Sequence, residues 1–388
     1  MTENESEKQD FRLELAQQVF LFKSTDIAGV DKAKLQAQIL QTIFSKGLAP
    51  YYEHLCGELG WELQQGKLQE MQASNAKQLE ELAAKIKDAE ENLGETEVRD
   101  ALAAKAAFLG SIGDREGAAA AYSDTESKTA SGAAKADMVF AQIRLAILYQ
   151  DWHGVKKLLA HAKTICEAGG DWEHKNKLKV YEGVAAMYSR DFKRAAELLL
   201  DSIQTFTTSE LFTYTSCVTY AVAASLVSLD RVALKERVVD SPEIRSVIGH
   251  VPALESCLNA LHDCNYREFF RSLLGVIDII RADMYTHPHV RYYMREVRLV
   301  AYNQFLESYK SVTLESMATA FDVGLPFLDT EVADFICAGR ISAKIDKVAG
   351  IIETKRPDAK NALYLEAIKR GDLLLNRVQK LSRVIDVD

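Results

Sequence analysis

Proline and glycine are scarce, 6 and 20 among 388 residues. So few breakers exclude a collagen-like or proline-rich chain and a turn-rich β-sandwich. The six cysteines, at 56, 166, 217, 257, 264 and 337, include no Cys-x-x-Cys pair. A chain this long needs no covalent staples, so reduced thiols filling a core in a reducing compartment are expected. There is no excess of positive charge: 47 Lys and Arg stand against 56 Asp and Glu, a formal net of −9. That argues against a broad nucleic-acid or acidic-membrane surface and leaves room only for a local basic patch. The amino-terminal MTENESEKQD has neither the basic nor the apolar region of a signal peptide, and residues 1–10 are expected to be disordered. One uncharged run, Leu211–Leu229, nears bilayer length. Its Thr213, Thr215, Ser216, Thr219, Ser225 and Ser228 mark it as a buried helix of a soluble fold.

Catalytic signatures are missing as well. Gly60 to Lys67 has the wrong glycine spacing for a phosphate-binding loop, and no Ser or Thr follows the lysine. There is no G-x-S-x-G and no H-E-x-x-H, and Ser74-Asn-Ala-Lys77 falls on a charged helix surface. His250, Cys257, His262 and Cys264 are dense, but on a helix Cys257 and Cys264 share a face that His262 does not. A closed tetrahedral site needs four convergent ligands. His287-Pro-His289 matches the His-x-His of metal-dependent deubiquitinases, yet Val290 to Val300 lacks the Ser and Asp such a site requires. No catalytic residue, metal or cofactor is expected.

What is present is helix. Ala, Leu, Glu and Lys dominate, and hydrophobic residues make up 48%. Phe11 to Ile43 is helical with a break at Ala28-Gly29, and Pro50 opens a short helix, Tyr51 to Leu59. Leu68, Met71, Leu79, Leu82, Ile86, Ala89 and Leu93 keep 3/4 spacing. That stripe reads as one extended helix lying on the next element, or as an intermolecular coiled coil.

A repeat follows. Asp114-Arg-Glu-Gly-Ala118 recurs as Asp151-Trp-His-Gly-Val155 and Asp191-Phe-Lys-Arg-Ala195, with echoes at Asp230 and Asn265. An apolar helix precedes and follows each, so each is a helix–turn–helix unit whose Asp or Asn caps the second helix. A single hairpin cannot bury its own stripe, and stacking the hairpins gives a solenoid with a concave face. The spacing is looser than a 34-residue repeat, so the expected fold class is mainly α: a TPR-like right-handed helical solenoid over about 46–290.

The texture changes near residue 290. An amphipathic helix spans Arg291–Tyr309, and Thr313 can cap Leu314–Phe321. Pro326 suits the first turn of a helix ending before Gly339, and the runs 341–345 and 349–354 read as two strands of a hairpin. That order describes a winged helix over 291–357. Its second helix carries Asp329, Glu331 and Asp334 and no Lys or Arg, which would repel phosphates, so a protein partner is expected rather than DNA. Pro357 breaks the chain. A last helix, about 360–385, places Tyr364, Ala367, Gly371, Leu374, Val378, Leu381 and Ile385 at strict 4-3 spacing. Basic residues cluster from Lys344 to Arg383, either as a solvated face or as a seat for an acidic protein.

A helical solenoid running into a winged helix and a long terminal helix resembles the PCI family. That family scaffolds the proteasome lid, the signalosome and translation initiation factor three. The strings Leu48-Ala-Pro-Tyr-Tyr-Glu-His-Leu-Cys56, Glu90-Glu-Asn-Leu-Gly-Glu95, Gly169-Gly-Asp-Trp172, Arg291-Tyr-Tyr-Met-Arg-Glu-Val-Arg298 and Gly371 to Ile385 are most similar to lid members. The resemblance covers roughly 45–386 and is weakest over 1–45, 123–138 and 228–255. It implies a non-catalytic scaffold of the lid, with a signalosome subunit as the alternative. It also implies cytoplasmic and nuclear localisation. The implied partners are other PCI lid subunits and a small acidic lid protein, with no nucleic acid and no membrane. Implied contacts are edge-to-edge strand pairing at Ile341, Ile345 and Ile351 and a helical bundle holding Leu374, Val378, Leu381 and Ile385. The expected domains are 1–45, 46–290, 291–357 and 358–388.

Overall fold

The Asp and Asn register is a set of helix caps. The structure is a computed structural model that describes residues 9–27, 31–92, 94–169, 171–355 and 359–385. The side chains of Asp114, Asp151, Asp191 and Asp230 accept from Gly117, Gly154, Arg194 and Ala233 N–H at 3.0, 3.0, 3.2 and 3.1 Å. Asn265 accepts from Glu268 N–H at 3.4 Å. In each case the third N–H of the new helix, one of its orphan donors, is satisfied. The fifth position of every unit (Ala118, Val155, Ala195, Leu234, Phe269) is buried.

The first three turns share a second device. Asp114, Asp151 and Asp191 N–H reach back to Leu109, Ala146 and Ala186 carbonyls at 3.1, 3.0 and 2.9 Å. The residue before the cap is left-handed: Gly113 at φ 80°, Gln150 at 55° and Arg190 at 65°. A helix therefore ends and the next begins across two or three residues, which folds the pair tightly back.

The chain divides into two compact units, residues 1–263 with 271–294 and residues 264–270 with 295–388. The first unit opens with α1 (Phe11–Lys23), α2 (Lys32–Lys46), α3 (Ala49–Leu59) and the long α4 (Gln65–Asn92). The hairpins are α5 (Glu95–Ile112) with α6 (Arg115–Lys128), α7 (Gly132–Leu148) with α8 (Trp152–Gly169), and α9 (Trp172–Tyr188) with α10 (Phe192–Ile203). Then come α11 (Tyr214–Ser228), α12 (Arg231–Leu234) running into a π turn at Lys235–Val239, α13 (Pro242–Ile248) and α14 (Pro252–His262). Each helix from α4 to α11 packs on the next, which is the stacking of a helical solenoid. The helices α15 (Tyr266–Ala282) and α16 (Val290–Glu307) contribute residues to both units.

Several expectations are met in this unit. The stripe of α4 lies along α5, the extended-helix reading, with Met71 and Ala89 buried and Leu68, Leu79, Leu82 and Ile86 half-buried. The uncharged run forms α11, with Cys217, Val218, Val222 and Leu226 fully buried. Among the described residues no helix is long and apolar enough to cross a membrane. The cysteines are free thiols, four of them buried. One expectation fails: Gln9 and Asp10 are not disordered but docked, with Asp10 capping α1. Residues 1–8, the Ala28-Gly29 break, Leu93 and Pro357 lie outside the described residues.

The second unit is a helical and winged module. Thr313 Oγ1 accepts from Ser316 N–H at 3.2 Å and starts α17 (Leu314–Phe321). Pro326 sits in the first turn of α18 (Leu325–Cys337). The expected hairpin is present as β2 (Ala343–Asp346) and β3 (Ile351–Thr354), but a third strand, β1 (Ser311–Thr313), joins it in the order β1-β3-β2, all antiparallel. The last element is α19 (Ala359–Ile385).

Candidate interaction surfaces

The helices of the winged module pack through aromatic rings. Tyr266, Phe270, Tyr302, Phe305 and Phe321 form one aromatic cluster, with ring centroids 4.8 to 6.1 Å apart. Edge-to-face pairs at these distances add specificity to simple burial. Beside them Arg298 pairs with Glu331 at 2.6 Å and Tyr302 donates to Glu331 at 2.7 Å. Burial, and then the Glu331 carboxylate, pushes the Tyr302 hydroxyl up, so it stays a neutral donor.

This changes the reading of the acidic helix. Glu331 is turned inward onto Arg298, and Asp329 pairs with Lys347 at 3.3 Å. Only Asp334 of the three carboxylates is exposed, and the other two are half-buried. The repulsion expected toward phosphates is weaker than a count of charges suggests.

Register decides which strand is sticky. Lys355 N–H donates to Ser342 C=O at 2.9 Å, and Lys344 and Asp346 pair with Glu353 and Ile351. Bonded and non-bonded pairs alternate in an antiparallel ladder. Ala343 and Ile345 therefore direct N–H and C=O away from β3, along the outer edge of β2. β3 is the central strand, so the free edges of this sheet are β1 and β2. Of the expected contact residues, Ile341 is buried in the module's own core, while Ile345 and Ile351 are half-buried. At the tip, Asp346 accepts from Val348 and Ala349 N–H at 2.9 and 3.2 Å and leaves the Val348 side chain fully exposed.

The terminal helix is exposed on every residue from 363 to 385. Leu374, Val378, Leu381 and Ile385 each show 60% or more of their surface. Sequence spacing found this stripe but missed its breadth. Leu363, Leu365, Ile368, Leu373, Leu375 and Val384 are equally open. At 100° per residue, Leu373, Leu374 and Leu375 alone span about 200° of the helix. Nearby charge is only lightly engaged, with Arg370 on Glu366 at 2.6 Å.

The residues that suggested chemistry are used structurally. His287 Nδ1 lies 2.7 Å from Arg281 C=O, and His289 Nε2 lies 2.7 Å from Tyr188 C=O. Cys257 is buried, and burial pushes its thiol up to about 12. His262 Nδ1 faces Asp263, and Gln304 reaches Cys264 Sγ at 3.2 Å. Among the described residues no group of three or more His, Cys, Asp or Glu is arranged to hold a metal.

Comparison with known proteins agrees with this geometry. A family model described as 26S proteasome subunit RPN7 matches residues 64–237, and a PCI domain model matches 278–356. A third, the 26S proteasome regulatory subunit RPN7/PSMD6 C-terminal helix, matches 364–385. The chain is 51% identical to the 26S proteasome non-ATPase regulatory subunit 6 homolog of Arabidopsis thaliana, over 96% of both chains. It is 49% identical to the Oryza sativa subunit 6, over 99% of this chain and 98% of that one. With Saccharomyces cerevisiae RPN7 the identity is 34%, over 96% and 92%.

Proposed function

We propose a function on one premise: this chain belongs to the family of 26S proteasome subunit RPN7, to whose members it is 34 to 51% identical over nearly its whole length. It is a non-catalytic scaffold subunit of the regulatory-particle lid and serves ubiquitin-dependent degradation by holding other subunits in place. Its partners are the other PCI subunits of the lid, and it acts in cytoplasm and nucleus without nucleic acid or membrane. The outer edge of β2, at Ile345, adds a neighbour's strand by main-chain hydrogen bonds. Ile341 and Ile351 support that strand from within the module. The stripe Leu374, Val378, Leu381 and Ile385 enters a bundle of helices from several chains. The basic residues from Lys344 to Arg383 seat a small acidic lid protein. Residues 1–45, 46–290, 291–357 and 358–388 act as amino-terminal segment, solenoid, winged module and bundle helix.

One observation carries this reading. Eleven large apolar side chains from Leu363 to Ile385 stand exposed on one helix. Burying each contributes roughly 1.5–3 kcal/mol, and a patch of that extent marks an interface. The test is affinity purification of the tagged full chain from cell extract, with mass spectrometry. Lid subunits should co-purify in near-equal amounts. Signalosome subunits in their place would move the assignment to the related complex, and the absence of any PCI chain would overturn it.

A further inference from the structure

The first helix makes contacts that a stack of hairpins should not contain. In a solenoid each repeat touches only its neighbours, so stability is a sum of local terms and the ends communicate weakly. Helix α1 has 13 residues, about 20 Å at 1.5 Å per residue. Yet it reaches five places far apart in the chain. Arg12 donates to Gly110 C=O at 3.2 Å in α5. Asp10 lies 2.9 Å from Arg144 in α7, and its N–H donates to Glu210 C=O at 3.0 Å. Gln17 is held from both sides, donating to Ala282 C=O at 2.7 Å and accepting Met284 N–H at 3.1 Å. Lys23 pairs with Glu58 at 2.8 Å, and the Phe22 ring packs edge-on to Trp61 at 5.1 Å.

Packed helices lie about 10 Å apart, so a straight stack from α5 to the end of α15 would run about 40 Å. Arg12 and Gln17 stand five residues apart, about 7.5 Å along α1, so α5 and the end of α15 must come much closer than a straight stack would place them. The helix also packs on α7 and buries Leu13, Leu15, Ala16 and Val19. Its amino-terminal anchor is a closed charge cluster. Asp10 lies between Arg12 and Arg144, Arg144 pairs with Glu210, and Glu210 also meets Lys177 at 3.4 Å. Tyr181 approaches the same guanidinium at 3.0 Å.

We propose that α1 is an internal strap that ties α3, α5, α7 and the end of α15 into one cooperative block, and that it is the occupant of the solenoid's inner groove. A groove already filled by the chain itself is closed to an extended peptide. The groove's polar end, Arg144 with Lys177 and Glu210, is matched to a helix with an acidic cap.

The full chain carrying Asp10→Asn with Gln17→Ala tests this by hydrogen exchange and urea unfolding. Exchange in α5, α7 and the end of α15 should rise together, tenfold or more. The unfolding midpoint by circular dichroism should separate from that by tryptophan fluorescence, whereas in the natural chain the two should coincide. A rise confined to residues 9–23, with coincident midpoints kept, overturns the proposal. If the double variant does not fold, a protease site inserted between Ser24 and Ile27 serves instead. The cut fragment should co-elute with the rest at low salt, and high salt should release it and speed exchange at residues 282–287. Release without faster exchange there defeats the strap.

Discussion

Gln150 and Arg190 occupy a left-handed backbone where glycine belongs, at φ 55° and 65°. Such a conformation in a residue with a Cβ costs about 1 kcal/mol. Gln150 is exposed, so Gln150→Gly should stabilise the chain by about 0.5–1 kcal/mol, read as a higher urea midpoint at unchanged slope. At the position after Arg190 the sign reverses: Asp191→Ala removes a cap and should destabilise by about 1 kcal/mol in the same assay. The caps were legible because Asp recurs ahead of an apolar run. The left-handed residues were not, since nothing in Gln or Arg announces that φ. Asp10 gives a pH test. Burial raises its pKa, but Arg12 and Arg144 outweigh this and hold it below the ordinary 3.8. A depressed carboxylate contributes stability above its unfolded pKa and loses it as pH falls through the folded one. Exchange protection of α1 should therefore hold above about pH 4 and collapse below it, and Asp10→Asn should flatten the profile.

At the scale of elements, the sequence showed which strands form a hairpin but not which of them is central. β1 is three residues wedged between two helices, too short for any alternation to register. Once β1 is counted, both sides of β3 are satisfied and β2 keeps an open edge. Ile345→Pro removes an outward N–H and leaves the ladder to β3 intact. The variant should melt within a few degrees of the natural chain, and its recovery in purified lid should fall at least tenfold. Normal recovery would show that the edge is not used. Glu331 illustrates the opposite limit of sequence reading. Its type predicted an acidic face, but its partners, Arg298 and Tyr302, sit about thirty residues upstream, beyond the reach of local pattern.

Across the whole molecule, one helix contributes almost nothing to its own chain. Truncation after Arg370 should leave circular dichroism and melting of the remainder nearly unchanged and abolish recovery with other lid subunits. Loss of the fold instead would make α19 part of the core. The three adjacent leucines at 373–375 then carry a consequence for supply. One neighbour can cover only one side of a helix, so surface spread over about 200° stays wet until at least two partners have arrived. A copy made in excess, or released early, keeps oily surface in water, where it self-associates or is caught by chaperones. Supply of this chain is thereby tied to that of its neighbours: a copy in excess of them should self-associate increasingly as its concentration rises.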